Sequence, residues 1–116
     1  MIRRGDIHAV DLDPVRGSEA NKRRPAVIVS NDAANATADR LRRGVVTVVP
    51  VTSNVARIFP FQVGLPAAET GLARDSKAQA EQIRSIAVER IGERLGGVPG
   101  RLMEDLEDAI RLHLGL

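Results

Sequence analysis

Arg24 stands directly before Pro25 in "KRRPAVIVS", where a polar, basic stretch gives way to an apolar run. Proline disfavours helical backbone at the residue before it, so Arg24 is expected in extended chain with its guanidinium aimed rather than waving. Held that way, it offers a phosphate two parallel hydrogen bonds and keeps its charge near neutral pH. Other phosphate-friendly side chains also fall at strand ends. Thr52, Ser53 and Asn54 follow the apolar run at 45–51, and Gln82 and Arg84 lie in a segment of mixed character. Such residues support charge stabilisation at phosphorus. They equally suit an arginine paired with a carboxylate, and residue types alone leave both readings open.

Several other chemistries are missing. No GxxxxGK(S/T), HExxH or GxSxG pattern occurs. There is no cysteine, which excludes disulfides and cysteine-ligated zinc and fits a reducing, cytoplasmic setting. His8 and His113 are the only histidines. Each is expected to be structural, and a histidine-pair ribonuclease would need folding to bring them together. Asp11 and Asp13 alternate, as on the wet face of a strand, and are a weak metal pair. No cofactor is implied.

The elements that must position Arg24 and Thr52 follow from patterning. A chain of 116 residues suits one domain, 1–116, with one core, and 43% hydrophobic against 28% charged residues is a globular composition. "IHAVDLD" (7–13) alternates, with Val10 and Leu12 on one face. Residues 14–24 form a long loop, and "PAVIVS" (25–30) reads as a central strand with Pro25 tolerable only at its start. "NDAANATADRLRR" (31–43) has Asn31 or Asp32 as a cap and then a short helix or turn. "GVVTVVPVTS" (44–53) is a second buried strand, with Pro50 pointing to an edge or bulge. "FPFQVGL" (59–65) sets Phe59, Phe61, Val63 and Leu65 on one face. In 76–95, composition favours helix while "EQIRSIAVERI" alternates, so periodicity does not decide. Residues 98–116 form a C-terminal helix, with Leu102, Met103, Leu106, Ile110 and Leu114 spaced by three and four.

Net charge is +2, unevenly placed: residues 1–43 hold nine Lys/Arg against six Asp/Glu. The excess suits a phosphate-bearing partner and also simple solvation. No apolar stretch approaches a membrane span, and aspartates come too early in "MIRRGDIHAVDLDP" for a secretory signal.

Three blocks together resemble the MazF/PemK family of toxin endoribonucleases: "RRGDIHAVDLDPVRGSEANKRRPAVIVSND", "VVPVTS" and "DSKAQAEQIRSIA", in family order over nearly the whole chain. The resemblance implies a mainly β fold, an SH3-like or CcdB-like small barrel of five to seven strands with a C-terminal helix. It also implies a homodimer, and strand rather than helix over most of 76–86. It further implies metal-independent cleavage of single-stranded RNA, leaving a cyclic phosphate and a 5′-hydroxyl, and an antitoxin partner of the MazE type. Carried onto this chain, the catalytic positions are Arg24 and Thr52, with Glu19 as third participant. Arg24 would stabilise charge on the phosphate, Thr52 would hold a non-bridging oxygen, and Glu19 would take the 2′ proton. Lys22 and Arg23 would hold the RNA backbone, while Ser53 and Gln82 would read bases. Some relatives place a histidine where Arg23 stands, so the acid–base assignment is open. Two rivals remain at this point: a CcdB-type toxin of the same fold that poisons DNA gyrase, and an inert interaction module.

Overall fold

The computed structural model describes residues 1–12 and 23–116. Glu19 and Lys22, and Asp13 with them, lie outside the described residues.

Seven strands make one antiparallel sheet: β1 (Asp6–Asp11), β2 (Arg23–Ile28), β3 (Val45–Thr52), β4 (Gln62–Leu65), β5 (Ser76–Gln79), β6 (Arg84–Ala87) and β7 (Ile91–Gly97). Their order is β4-β5-β3-β2-β1-β7, with β6 also paired to β3. Helices α1 (Asp32–Leu41), α2 (Ala67–Thr70) and α3 (Gly100–Leu114) complete the described elements. The mainly β class with a C-terminal helix is as the sequence implied.

β2 and β3 read as unbroken apolar runs because both their faces are covered. Val27, Val49 and Val51 join Ile7, Leu65 and Ala78 in a core closed by Leu102, Met103 and Leu106 of α3. Ala26, Ile28, Val46 and Val48 point the other way, into a second core with Val10, Leu12, Ile86 and Ala38 of α1. Leu12, just past β1, is buried in this second core, and its carbonyl accepts Arg84 Nη1 at 3.1 Å.

Pro50 is not at an edge. It faces Ala26 in the centre of the sheet. On its other side the partner of β3 changes from β6, paired to Val45–Val48, to β5, paired to Val51 and Thr52. A residue without an N–H is tolerated there because that flank has no ladder at that position. Pro25 is accommodated in the same way: it pairs with Ala9 of β1, while the β2–β3 ladder begins only at Ala26.

The ambiguous segment is strand interrupted twice. β5, β6 and β7 are separated by single 3-10 turns at Ala80–Gln82 and Val88–Arg90. Phe59 and Phe61 precede β4 instead of lying within it. α1 starts where Asn31 caps it, its side-chain oxygen accepting Ala34 N–H at 2.8 Å. No helix among the described residues is long and apolar enough to cross a membrane.

Candidate nucleic-acid interface

Arg24 lies in extended backbone near the start of β2, opposite Val10 of β1. The β2–β3 register pairs Ala26 with Pro50 and Ile28 with Val48. Continued by two residues, it sets Arg24 opposite Thr52. Residues directly opposite in an antiparallel pair share a face, with Cβ atoms about 5 Å apart. Thr52 in turn pairs with Lys77 of β5, and Lys77 with Gly64 of β4. One row across the sheet therefore reads Val10, Arg24, Thr52, Lys77, Gly64.

The chemistry of this row is cationic and hydrogen-bond donating. Arg24 is exposed, and it makes no side-chain hydrogen bond or ion pair with the described residues. Thr52 is half-buried at the strand end, and its Oγ1 accepts Asn54 N–H at 3.2 Å. That bond uses a lone pair and leaves the hydroxyl hydrogen available to donate. A guanidinium and a hydroxyl set this way can both donate to the oxygens of one phosphate.

The loop after Thr52 folds back over the same row. Lys77 is only 8% exposed, and its Nζ donates to the Arg57 carbonyl at 2.5 Å. Ile58 packs over Gly64, its Cδ1 lying 3.5 Å from where a Cβ at residue 64 would stand. The Arg57 guanidinium sits 4.7 Å from the centroid of Phe59, which stacks on Phe61 at 5.4 Å. Gln62 fixes the loop's far end: its Oε1 accepts Phe59 N–H, and its Nε2 donates to Glu81 at 2.7 Å.

Arg23 does not join the Arg24–Thr52 row, because successive strand residues alternate in face, and Ser53 lies just past the end of β3. Arg23 pairs with Asp11, and its guanidinium lies over Gly92 of β7, where a Cβ would collide with it. Ser53 is exposed and lines a cavity of about 400 Å³ with Pro25, Leu72, Arg74 and Leu95. Gln82 is exposed at the end of a 3-10 turn, five residues beyond Lys77 in the chain. Glu19 and Lys22 are outside the described residues.

The histidines stay apart. His8 is buried in β1 with Nδ1 2.9 Å from the Gly92 carbonyl, while His113 is exposed in the last turn of α3. Among the described residues no group of three or more His, Cys, Asp or Glu is placed to hold a metal ion.

Sequence reasoning missed Lys77 and Arg57. The signal for Arg57 was "RIFPF", a cation followed by aromatics two and four residues on. For Lys77 there was little, because its burial depends on a loop twenty residues earlier in the chain.

A family model described as PemK-like, MazF-like toxin of type II toxin-antitoxin system matches residues 3–114. The chain is similar to endoribonuclease MazF9 of Mycobacterium tuberculosis, with 64% identity over 116 residues covering all of this chain and 98% of that protein. A crystal structure of MazF from Deinococcus radiodurans superposes with a TM-score of 0.77 at 28% identity, covering 99% of this chain and 97% of that one. A MazE–MazF crystal structure from the same organism gives 0.73 at 26% identity, covering 98% and 96%.

Proposed function

The chain belongs to the PemK-like, MazF-like toxins of type II toxin–antitoxin systems, and from that membership we propose that it is a sequence-specific endoribonuclease acting on single-stranded RNA at the Arg24–Thr52 row. The observation that supports the reading is the β2–β3 register, which pairs Ala26 with Pro50 and, continued by two residues, sets Arg24 opposite Thr52. The relative at 64% identity is an endoribonuclease by name, which supports the activity.

The reaction needs a ribose 2′-OH to lose its proton, attack the adjacent phosphorus and expel the 5′ oxygen, which takes a proton from water as the P–O5′ bond breaks. The products are a 2′,3′-cyclic phosphate and a 5′-hydroxyl. Negative charge grows on the non-bridging oxygens as phosphorus becomes five-coordinate. Arg24 stabilises that charge with parallel N–H donors, and Thr52 donates its hydroxyl hydrogen to one of the same oxygens. Glu19 takes the 2′ proton, a role a carboxylate fills when its proton affinity is raised. Lys22 holds the backbone of the incoming strand. Arg23 and Ser53 serve flanking nucleotides that pass over the strand ends, with Ser53 beside the cavity, and Gln82 serves bases further along. Charge stabilisation needs no metal, so cleavage proceeds in chelator. The working unit is a homodimer in the cytoplasm. A MazE-like antitoxin is its inhibitor, as the MazE–MazF structures among the relatives suggest.

The test is digestion of long unstructured RNA by purified protein in EDTA, with the cut ends mapped. Cyclic phosphate and 5′-hydroxyl ends at one short recognition sequence are expected. Arg24→Ala is expected to lower kcat by at least 10²-fold. Its melting temperature should stay unchanged, because the side chain is exposed. Intact RNA combined with inhibition of DNA gyrase would replace this reading with the CcdB type, which the family match does not favour.

A further inference from the structure

Lys77 is out of place for its type. A lysine ammonium is seldom fully buried unless paired, yet this one is nine-tenths buried with a carbonyl as its recorded hydrogen-bond partner among the described residues. That carbonyl belongs to Arg57, and the same Nζ lies 6.0 Å from the Phe59 ring centroid. A single buried cation thus grips the 53–61 loop from beneath at two points, next to Thr52 on the sheet. The Arg57 side chain is exposed and laid over the ring of Phe59, which also stacks on Phe61. Stacking on a ring leaves the rim N–H groups of a guanidinium unused.

We propose that Lys77 is a positioning residue that clamps the 53–61 loop beside Thr52, so that Arg57 is presented as a fixed donor to a backbone phosphate of the RNA next to the scissile linkage. The proposal rests on the nuclease reading above and adds a further phosphate contact to it. Lys77 itself does not touch substrate, because its ammonium faces the underside of the loop. Arg57 is the contact. Its grip is on bound RNA in general and not on the reacting phosphorus, so it governs KM and leaves kcat alone.

The experiment is a double-mutant cycle on RNA cleavage with Lys77→Met and Arg57→Ala, each assayed for kcat, KM and salt dependence. Methionine keeps most of the lysine stem and removes the charge. Both single variants are expected to raise KM about tenfold, the loss of one charge-assisted hydrogen bond, with kcat within about twofold of wild type. Arg57→Ala should also flatten the dependence of log affinity on log salt by about 0.7, the value for one phosphate contact to a single strand. The double variant should be no worse than Arg57→Ala alone, because Lys77 acts through Arg57. Additive losses would overturn the proposal, as would a wild-type KM for Arg57→Ala. If Lys77→Met does not fold, Phe59→Leu takes its place in the cycle, with the same expected KM rise and the same overturning results. Wild-type protein that cuts no RNA sinks the nuclease reading itself, whereas wild-type cleavage with an unaltered KM in the variants sinks only this inference.

Discussion

A threonine hydroxyl has one hydrogen to give and two lone pairs to offer, and at Thr52 one lone pair is taken by Asn54 N–H. That bond uses the oxygen as an acceptor and leaves the hydroxyl hydrogen free to donate elsewhere. Thr52→Val keeps the shape of the side chain and removes the donor. It is expected to lower kcat by about 10- to 100-fold with little change in KM, since a hydrogen bond to a charged oxygen contributes about 1.5–3 kcal/mol. Thr52→Ser keeps both the donor and the acceptor and should retain most of the activity. Single-turnover cleavage of one RNA by the two variants checks this, and a valine variant as fast as the serine one would remove Thr52 from the chemistry. The arginine was legible at this scale and the pairing was not. Pro25 restricts Arg24 locally, so its extended backbone could be read from a dipeptide. The placement of Arg24 opposite Thr52 follows only from continuing the β2–β3 register, which no short window encodes. Alternation also separates Arg23 from Arg24, so these two adjacent cations do not share one face.

Helix α1 is anchored to the N-terminal segment by a carboxylate. Asp32, in the first turn, accepts Arg4 N–H at 2.7 Å and Asn35 Nδ2 at 3.3 Å. The backbone donor of Arg4 first, and then Asn35, hold its carboxyl below the usual aspartate range. The folded chain therefore favours the ionised form, and the unfolded chain takes up the proton more readily. The stabilisation is present above the ordinary aspartate range and is lost as pH falls through the lowered folded value. The melting temperature of wild type should accordingly exceed that of Asp32→Asn at neutral pH. The gap should close as pH is taken down through and below that range, and a gap that widens in acid would refute the assignment. Among the elements, those with long periods were readable: α3 by its three-and-four spacing, α1 by its cap, β2 and β3 by their apolar runs. The 76–97 stretch was not, because β5 and β6 are four residues each and a 3-10 turn follows each of them. Neither a period of 2 nor one of 3.6 persists long enough to emerge. Lys77 was hidden for the same reason, being a charged residue inside a four-residue strand covered by a distant loop.

At the scale of the whole molecule, valine-rich strands raise the question of an apolar sheet face open to a second copy. The sheet does not supply one: Val46, Val48, Val49 and Val51 are all buried within a single chain, between α1 on one side and α3 on the other. The uncovered apolar side chains lie mostly elsewhere. Leu112, Leu114 and Leu116 are 59%, 50% and 85% exposed at the C-terminal end of the chain, and Leu41 and Val45 are exposed where α1 hands over to β3. Scattered surface leucines are ordinary, but three within five residues at one end of a helix concentrate apolar area where association would remove it from water. The resemblance to the MazF/PemK family implies a homodimer, and closed two-fold pairs are the commonest oligomers. Sedimentation equilibrium at micromolar concentration is therefore expected to give about twice the 12.5 kDa of one chain. Leu112→Asp together with Leu116→Asp should shift the mass toward the monomer without lowering the helix signal in circular dichroism, since both side chains are exposed. A wild-type mass of one chain would show that the leucines serve no self-association. A dimer unmoved by the two aspartates would place its interface on another surface of the molecule.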